Sequence, residues 1–450
     1  MLERNVFFKR ALMLALPIMV QNLISTLVGT ADTIMLGYVN QTAMSAASLA
    51  NQFIFVLFCF YYGMSAGTSV LCAQYWGKKD SYTIERIVGL ALRLSIIISI
   101  VFVLIGCFFS KQIMSFFTNS PETIAIGATY LRVVSISLVF VGFTQVYLSA
   151  LRSVGKVTLP SAVYVVSLIT NIIFNAIFIF GLLGAPKLGV VGAAVGTVIA
   201  RAVELIICII YSIFFSDIKV RIRFLFASSG ELMNDFLKIG MPAIVNDVIW
   251  SLASSAFAAI LGHIGDDMVA ANAVAIMVVN IGAIATRGFA NATTIIVSNA
   301  LGADDIEGAK VYSKRMLIIT FVVSLIGCVI ILVARPYMLL YYQNKLTPLA
   351  VSYLSSIMIM TTWRLIGEGL NTCWICGCFR GGGDTKFGMY MDLVFMWFVA
   401  VPLMFVAAYI LKLPPLWVYL VMSLDEFYKM PVIIMHYKKF NWLNNITRDV

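Results

Sequence analysis

Histidine is almost missing from this chain. The two that occur, His263 and His436, have no partner at metal-ligand spacing. The eight cysteines come nearest to a motif as CWICGC, where Cys373, Cys376 and Cys378 cluster inside an apolar run. Their expected role is that of small apolar helix residues, and no metal or cofactor is expected. No nucleophile motif and no phosphate-binding glycine loop occurs, so an enzyme finds no support. Charge is scarce as well. Only 12% of residues are Asp, Glu, Lys or Arg, against about 25% in soluble domains. Polar stretches are scarcer still: SDIKVRIRFLFASSGELMND (216–235) is the one long example.

What remains is apolar. Hydrophobic residues make up 61% of the 450, with mean hydropathy +0.97. The apolar runs are long enough to cross a bilayer, and the short alternating segments of a membrane barrel are absent. The first run is too long for a cleaved signal and lacks a small-residue cleavage site. Spans are expected near 11–38, 43–75, 87–110, 122–151, 157–181 and 188–214, then near 237–263, 268–300, 312–335, 348–378, 386–411 and 415–436. The expected fold is therefore an all-α polytopic membrane protein with 12 transmembrane helices. Its expected organisation is a lobe over 1–214, a cytoplasmic connector over 215–236 and a second lobe over 237–450.

The basic excess reports orientation. With both termini inside, 20 Lys and Arg fall in inner segments and 5 in outer loops. The net charge of +10 is thus a topology signal, and nucleic acid is not an expected partner. A multi-pass protein of the cytoplasmic membrane follows, with both termini cytoplasmic and a monomeric state expected.

The two halves repeat. Leu16–Asp80 aligns without a gap to residues 225 further on, with 13 of 65 positions identical, among them Pro17/Pro242, Gly37/Gly262, Gly77/Gly302 and Asp80/Asp305. LRSVGKVTLP (151–160) returns more loosely as FRGGGDTKFG (379–388). An internal duplication with two pseudo-symmetric six-helix lobes is expected. The acids do not follow the frame: Asp32 aligns with Phe257, and Asp247 with Asn22.

Acids at membrane depth are costly and mark pathways or sites. Asp32 sits about 9 Å from the outer end of its span by helix rise. Asn171, Asn175 and Thr197 fall at similar depth in the first lobe, and one carboxylate with neutral oxygens suits a proton or a sodium ion. Asp247 and Glu368 both lie about 15 Å from the inner face and form a second candidate, as a carboxylate pair. Arg364 could neutralise Glu368 from one turn away. Arg287 lacks a local acid, and Asp247 is a candidate partner. Arg201 and Glu204 could pair, as could Asp425 and Lys429; Asp392 could meet Arg380 or Lys386. Trp250 and Trp363 stand near the acids in sequence and, with Arg287 and Arg364, form the expected substrate cavity. Aromatic walls with carboxylates suit a lipophilic organic cation.

LPIMVQNL…ADTIMLGYVN (16–40), LRSVGKVTLP, NIIFNAIFIFGLLGAPKLGVVGAAVGT (171–197), GMPAIVND and RGGGDTKFG together resemble the multidrug and toxic compound extrusion (MATE) family over nearly the whole chain. The pattern is closer to the NorM type than to the archaeal DinF type, which usually carries an acid at the Asn175 position. The resemblance implies export of organic, often cationic, compounds in exchange for Na+ or H+ by alternating access. It also implies that Asp32, Asn171, Asn175 and Thr197 serve cation or proton coupling. Many relatives place a seventh-helix acid where Trp250 stands, one turn beyond Asp247, and a tenth-helix acid one residue from Glu368. The alternative is a lipid-linked oligosaccharide flippase, whose cationic cavity would use Arg93, Arg132 and Arg287.

Overall fold

A computed structural model describes residues 4–227 and 230–448. Among the described residues there are helices and connections but no strand. The chain begins with α1 (Arg4–Gly37), α2 (Gln41–Gly77), α3 (Ser81–Phe108), the short α4 (Ser110–Phe117), α5 (Pro121–Ser135) and α6 (Leu138–Ser153). It continues with α7 (Thr158–Phe180), α8 (Val190–Phe214) and the single turn α9 (Ile222–Phe226). Then come α10 (Gly230–Ile264), α11 (Asp266–Gly302), α12 (Ile306–Tyr342) and α13 (Pro348–Thr372), the last prolonged by a wide turn over Cys373–Phe379. The chain ends through α14 (Thr385–Asp392), α15 (Val401–Phe405), α16 (Pro415–Ser423), α17 (Asp425–Tyr428) and α18 (Met430–Lys439).

By length and composition, ten described helices can cross a membrane, and α5 with α6 makes an eleventh if that pair, bent by 48°, is one span. The protein is thus an all-α membrane protein of about ten to twelve spans. The run expected to be the last span is broken into α16, α17 and α18. Pro431 opens α18; it has no N–H to donate to the preceding turn, so a continuous helix is interrupted there. The expected connector is also shorter than 215–236, because α10 already starts at Gly230. Glu231 lies in its first turn, where a carboxylate complements the helix dipole.

Contacts divide the chain into two units, residues 20–240 with 448, and residues 4–19 with 241–447. The divisions at 19/20 and 240/241 fall inside α1 and α10.

In the 20–240 unit, Leu36, Ala47, Ala50, Leu57, Leu131 and Val141 belong to one buried core. Lipid chains are as apolar as these side chains, so close packing and interhelical hydrogen bonds must hold the helices together. α7 and α8 approach closely. A Cβ added at Gly192 would stand 2.4 Å from the Phe178 carbonyl oxygen, and one at Gly196 would stand 2.2 Å from Asn175 Oδ1. The connector is tied back to α3, where Glu85 accepts from the Lys219 N–H at 3.1 Å and pairs with Arg221 at 2.6 Å.

The 241–447 unit has its own core, including Ala253, Phe257, Leu354, Ile357, Leu365 and Met404. Its C-terminal end packs Trp442, fully buried, beside Phe379, with the Trp442 indole donating to the Tyr437 carbonyl at 3.1 Å.

The duplication is visible inside each unit. After α2, the N–H of Asp80 donates to the Tyr75 carbonyl, Lys79 adopts φ 64°, and the Asp80 side chain caps α3 by accepting from Thr83 N–H at 3.0 Å. After α11, Asp305 N–H donates to Ala300, Asp304 adopts φ 56°, and Asp305 caps α12 by accepting from Gly308 N–H at 2.8 Å. The looser repeat behaves alike. Lys156 N–H reaches Leu151 with Gly155 at φ 83°, and Asp384 N–H reaches Phe379 with Gly383 at φ 81°. Both glycines occupy a left-handed conformation that a Cβ would strain. Buried hydroxyls match too: Thr68 to Met64 and Thr293 to Phe289, each at 2.8 Å.

Candidate functional site

In the 20–240 unit, Asp32, Asn171, Asn175 and Thr197 come together as one hydrogen-bonded chain. Asn175 Nδ2 donates to Asp32 Oδ1 at 2.5 Å and to Asn171 Oδ1 at 3.2 Å; Asn171 Nδ2 donates to Thr197 Oγ1 at 3.4 Å. Helical spacing produces this ladder. Asn171 and Asn175 are one turn apart on α7 and face α8, whose Gly196 leaves room for the Asn175 amide. Asn171 is 1% exposed and Asn175 0%, and Asn175 Oδ1 meets no donor among the described residues. The nearest cation is already engaged: Arg201 pairs with Glu204 at 2.6 Å while acting on Asp32 only at longer range. Asp32 is therefore held by a neutral amide, and its second oxygen makes no ion pair among the described residues.

In the 241–447 unit the acids are distributed differently from the expectation. Asp247 and Glu368, expected as a carboxylate pair, each face their own arginine. Arg380 lies 3.8 Å from Asp247, and Arg287 lies 3.2 Å from Glu368. The expected Arg287–Asp247 pairing is thus replaced by Arg287–Glu368. Arg364, one turn before Glu368, makes no ion pair within 4 Å among the described residues. Asp392 meets neither Arg380 nor Lys386 in an ion pair. It takes Lys429 at 2.9 Å and the amide of Asn246 at 2.7 Å. Lys429 also reaches Glu426 at 3.1 Å, so the expected Asp425–Lys429 contact gives way to partners on either side. Glu426, one residue after Asp425, takes the place of the expected partner one turn from Lys429. The Arg201–Glu204 pair is observed as expected.

Sequence reasoning passed over Asn246, Asn371 and Glu426. Asn371 Nδ2 donates to the Glu426 carboxylate at 2.8 Å and to its carbonyl at 2.6 Å. The available signal was adjacency: Asn246 precedes Asp247, and Glu426 follows Asp425. The expected cavity residues do not converge as a set. Trp363 is 66% exposed and Trp250 37%, whereas Arg287 turns to Glu368. The arginines that favoured a flippase are likewise engaged locally. Arg93 donates to the Ala227 carbonyl at 2.9 Å and Arg132 to Ser110 Oγ at 2.8 Å.

A duplicated helical frame, a carboxylate–amide ladder and paired charges within apolar spans are the features of a membrane transporter. The family comparison agrees: the MatE model matches residues 17–177 and 242–406, and the chain belongs to that family of transporters. Among its relatives is "Probable multidrug resistance protein YoeA" of Bacillus subtilis, 25% identical over 82% of this chain and 80% of that protein. "Probable multidrug resistance protein NorM" of Thermotoga maritima is 24% identical over 96% of this chain and 93% of its own length. A solved structure of MATE in the bent conformation shares the fold, with TM-score 0.86, 20% identity and 96% of each chain covered.

Proposed function

We propose that the protein is a secondary efflux antiporter. It exports small organic compounds, cationic and lipophilic in character, across the cytoplasmic membrane in exchange for Na+ or H+. Both termini are cytoplasmic, and the repeated halves over 1–214 and 237–450 act as two lobes in alternating access. The chain's names among its relatives, multidrug resistance and multidrug export, support the substrate class. The observation that carries the reading is Asp32. A half-buried carboxylate bonded to an amide at 2.5 Å, with its neighbouring arginine already paired at 2.6 Å, is left open to a mobile cation. Asn175, Asn171 and Thr197 supply neutral oxygens beside it. Asp247 and Glu368, each facing an arginine, serve as gates whose pairing changes with state. Exposed Trp250 and Trp363 are the aromatic candidates for the substrate. The cation and the organic compound must favour different conformations, since a ligand with equal affinity for both shifts nothing.

The test is uptake of ethidium in proteoliposomes under an imposed sodium or pH gradient. Wild type should respond to one gradient, and Asp32→Asn should lose that response. Unimpaired gradient-driven transport in Asp32→Asn, Asp247→Asn and Glu368→Gln together would overturn the site.

A further inference from the structure

The broken last span carries chemistry that the Asp32 site does not use. α17 sets Asp425 and Glu426 side by side, each 3% exposed. The charges around it do not balance: the buried carboxylates of Asp392, Asp425 and Glu426 face two cations, Arg364 and Lys429. Asp392 and Glu426 each make an ion pair within 4 Å, both with Lys429. Asp425 makes none among the described residues; its Oδ1 accepts only the N–H of Glu426, at 2.8 Å. The groups around it are Arg364 from α13, Tyr419 from α16, Asp392 across Lys429, and Glu426, Tyr428 and Lys429 from its own segment.

A second observation points the same way. Asn371, 2% exposed, spends its amide hydrogens on Glu426, and its Oδ1 meets no donor among the described residues. Arg364 Nε and Tyr419 Oη also meet no partner among the described residues, so the corner holds free donors as well as a free acceptor, and three carboxylates against two cations leave one surplus negative charge. A sodium ion would need several oxygens and would stand close to both Arg364 and Lys429, which repel it. A proton needs one carboxyl oxygen and removes the surplus charge, the cheaper outcome for an unpaired acid at this depth.

We propose that Asp425 is a proton-binding carboxyl, separate from the cation site at Asp32. The inference rests on the antiport reading only for the proton's use in transport; the proton itself is tested without transport. Difference infrared spectroscopy on the purified full chain, titrated with acid and base alone, reads the C=O stretch of protonated carboxyls. Wild type should show a band at neutral pH that Asp425→Asn loses and Asp32→Asn and Asp392→Asn retain at least in part. A spectrum of Asp425→Asn identical to wild type would overturn the proposal. Melting in detergent gives a second reading. Asn is close in shape to a protonated Asp, so Asp425→Asn should melt with wild type, while Asp392→Asn, which strips Lys429 of an ionised partner, should melt lower. An equal drop in both would also overturn it. Failure of gradient-driven ethidium transport in wild type would refute the antiport reading and leave the spectrum as it stands.

Discussion

Gly196→Ala is a small change that should reach the Asp32 site without replacing any polar side chain. The new Cβ would stand 2.2 Å from Asn175 Oδ1 and 2.9 Å from the Asn175 backbone nitrogen. The amide could swing away from the first contact, but the second is backbone, so α7 and α8 must separate by roughly 1 Å to restore ordinary contact. Either response disturbs the hydrogen bonds from Asn175 to Asp32 and Asn171, now 2.5 and 3.2 Å. The bond between amides is worth about 0.6 kcal/mol in a membrane, and the one to a carboxylate about 1.5–3 kcal/mol. A loss of about 2–3 kcal/mol follows, read as a fall of roughly 2–6 °C in the melting temperature of so long a chain. Ethidium transport in proteoliposomes should lose its gradient dependence, as in Asp32→Asn. Gly142→Ala is the control: its Cβ would meet Ser99 Oγ at 2.5 Å and Ser95 Oγ at 2.7 Å. That variant should melt lower yet keep the gradient response. A Gly196→Ala protein with wild-type melting and wild-type coupling would refute the packing argument.

Three further outcomes are expected. Asp80→Ala and Asp305→Ala each remove a helix cap and should cost about 1 kcal/mol; Asp80→Ala should cost more, because Asp80 also accepts from Thr83 Oγ1 at 2.6 Å. Both are checked by thermal melting in detergent. Arg380→Met should strand Asp247, now 3.8 Å away, and lower the melting temperature, whereas Arg380→Met with Asp247→Asn should recover part of the loss; additive effects in that cycle would exclude the coupling. Trp442→Ala empties a fully buried position and should cost about 3–5 kcal/mol, seen as early proteolysis of the C-terminal segment.

The fold was largely legible in the sequence because membrane helices announce themselves by length and apolarity. The run over 41–77 and that over 306–342 needed no tertiary information. The Asp32 ladder was legible for a similar reason: depth is a coordinate along one helix, and four polar groups at one depth are candidates to meet. The second unit resisted because its partners are set by rotation. Lys429 follows Asp425 by one regular turn in the sequence, yet it pairs with Glu426, three residues before it, and with Asp392 from another helix. Likewise Glu368 had Arg364 as its near neighbour in sequence, and the ion pair came from Arg287 on α11. Spacing along a chain ranks partners within a helix and says nothing of which neighbouring helix brings a better one.

The paired turns after α2 and α11 have an evolutionary consequence. Their shape is set by backbone hydrogen bonds and a capping aspartate, while the residues in between differ freely: Lys78 and Lys79 in one copy, Ala303 and Asp304 in the other. Architecture and chemistry are thus inherited on different positions. A duplicated gene with that separation can move an acid from the Asp32 place to the Asp247 place, or add one at Asp425, by single substitutions that leave the folding instructions unread. Divergence between the two copies then explores new ligands while the scaffold stays fixed.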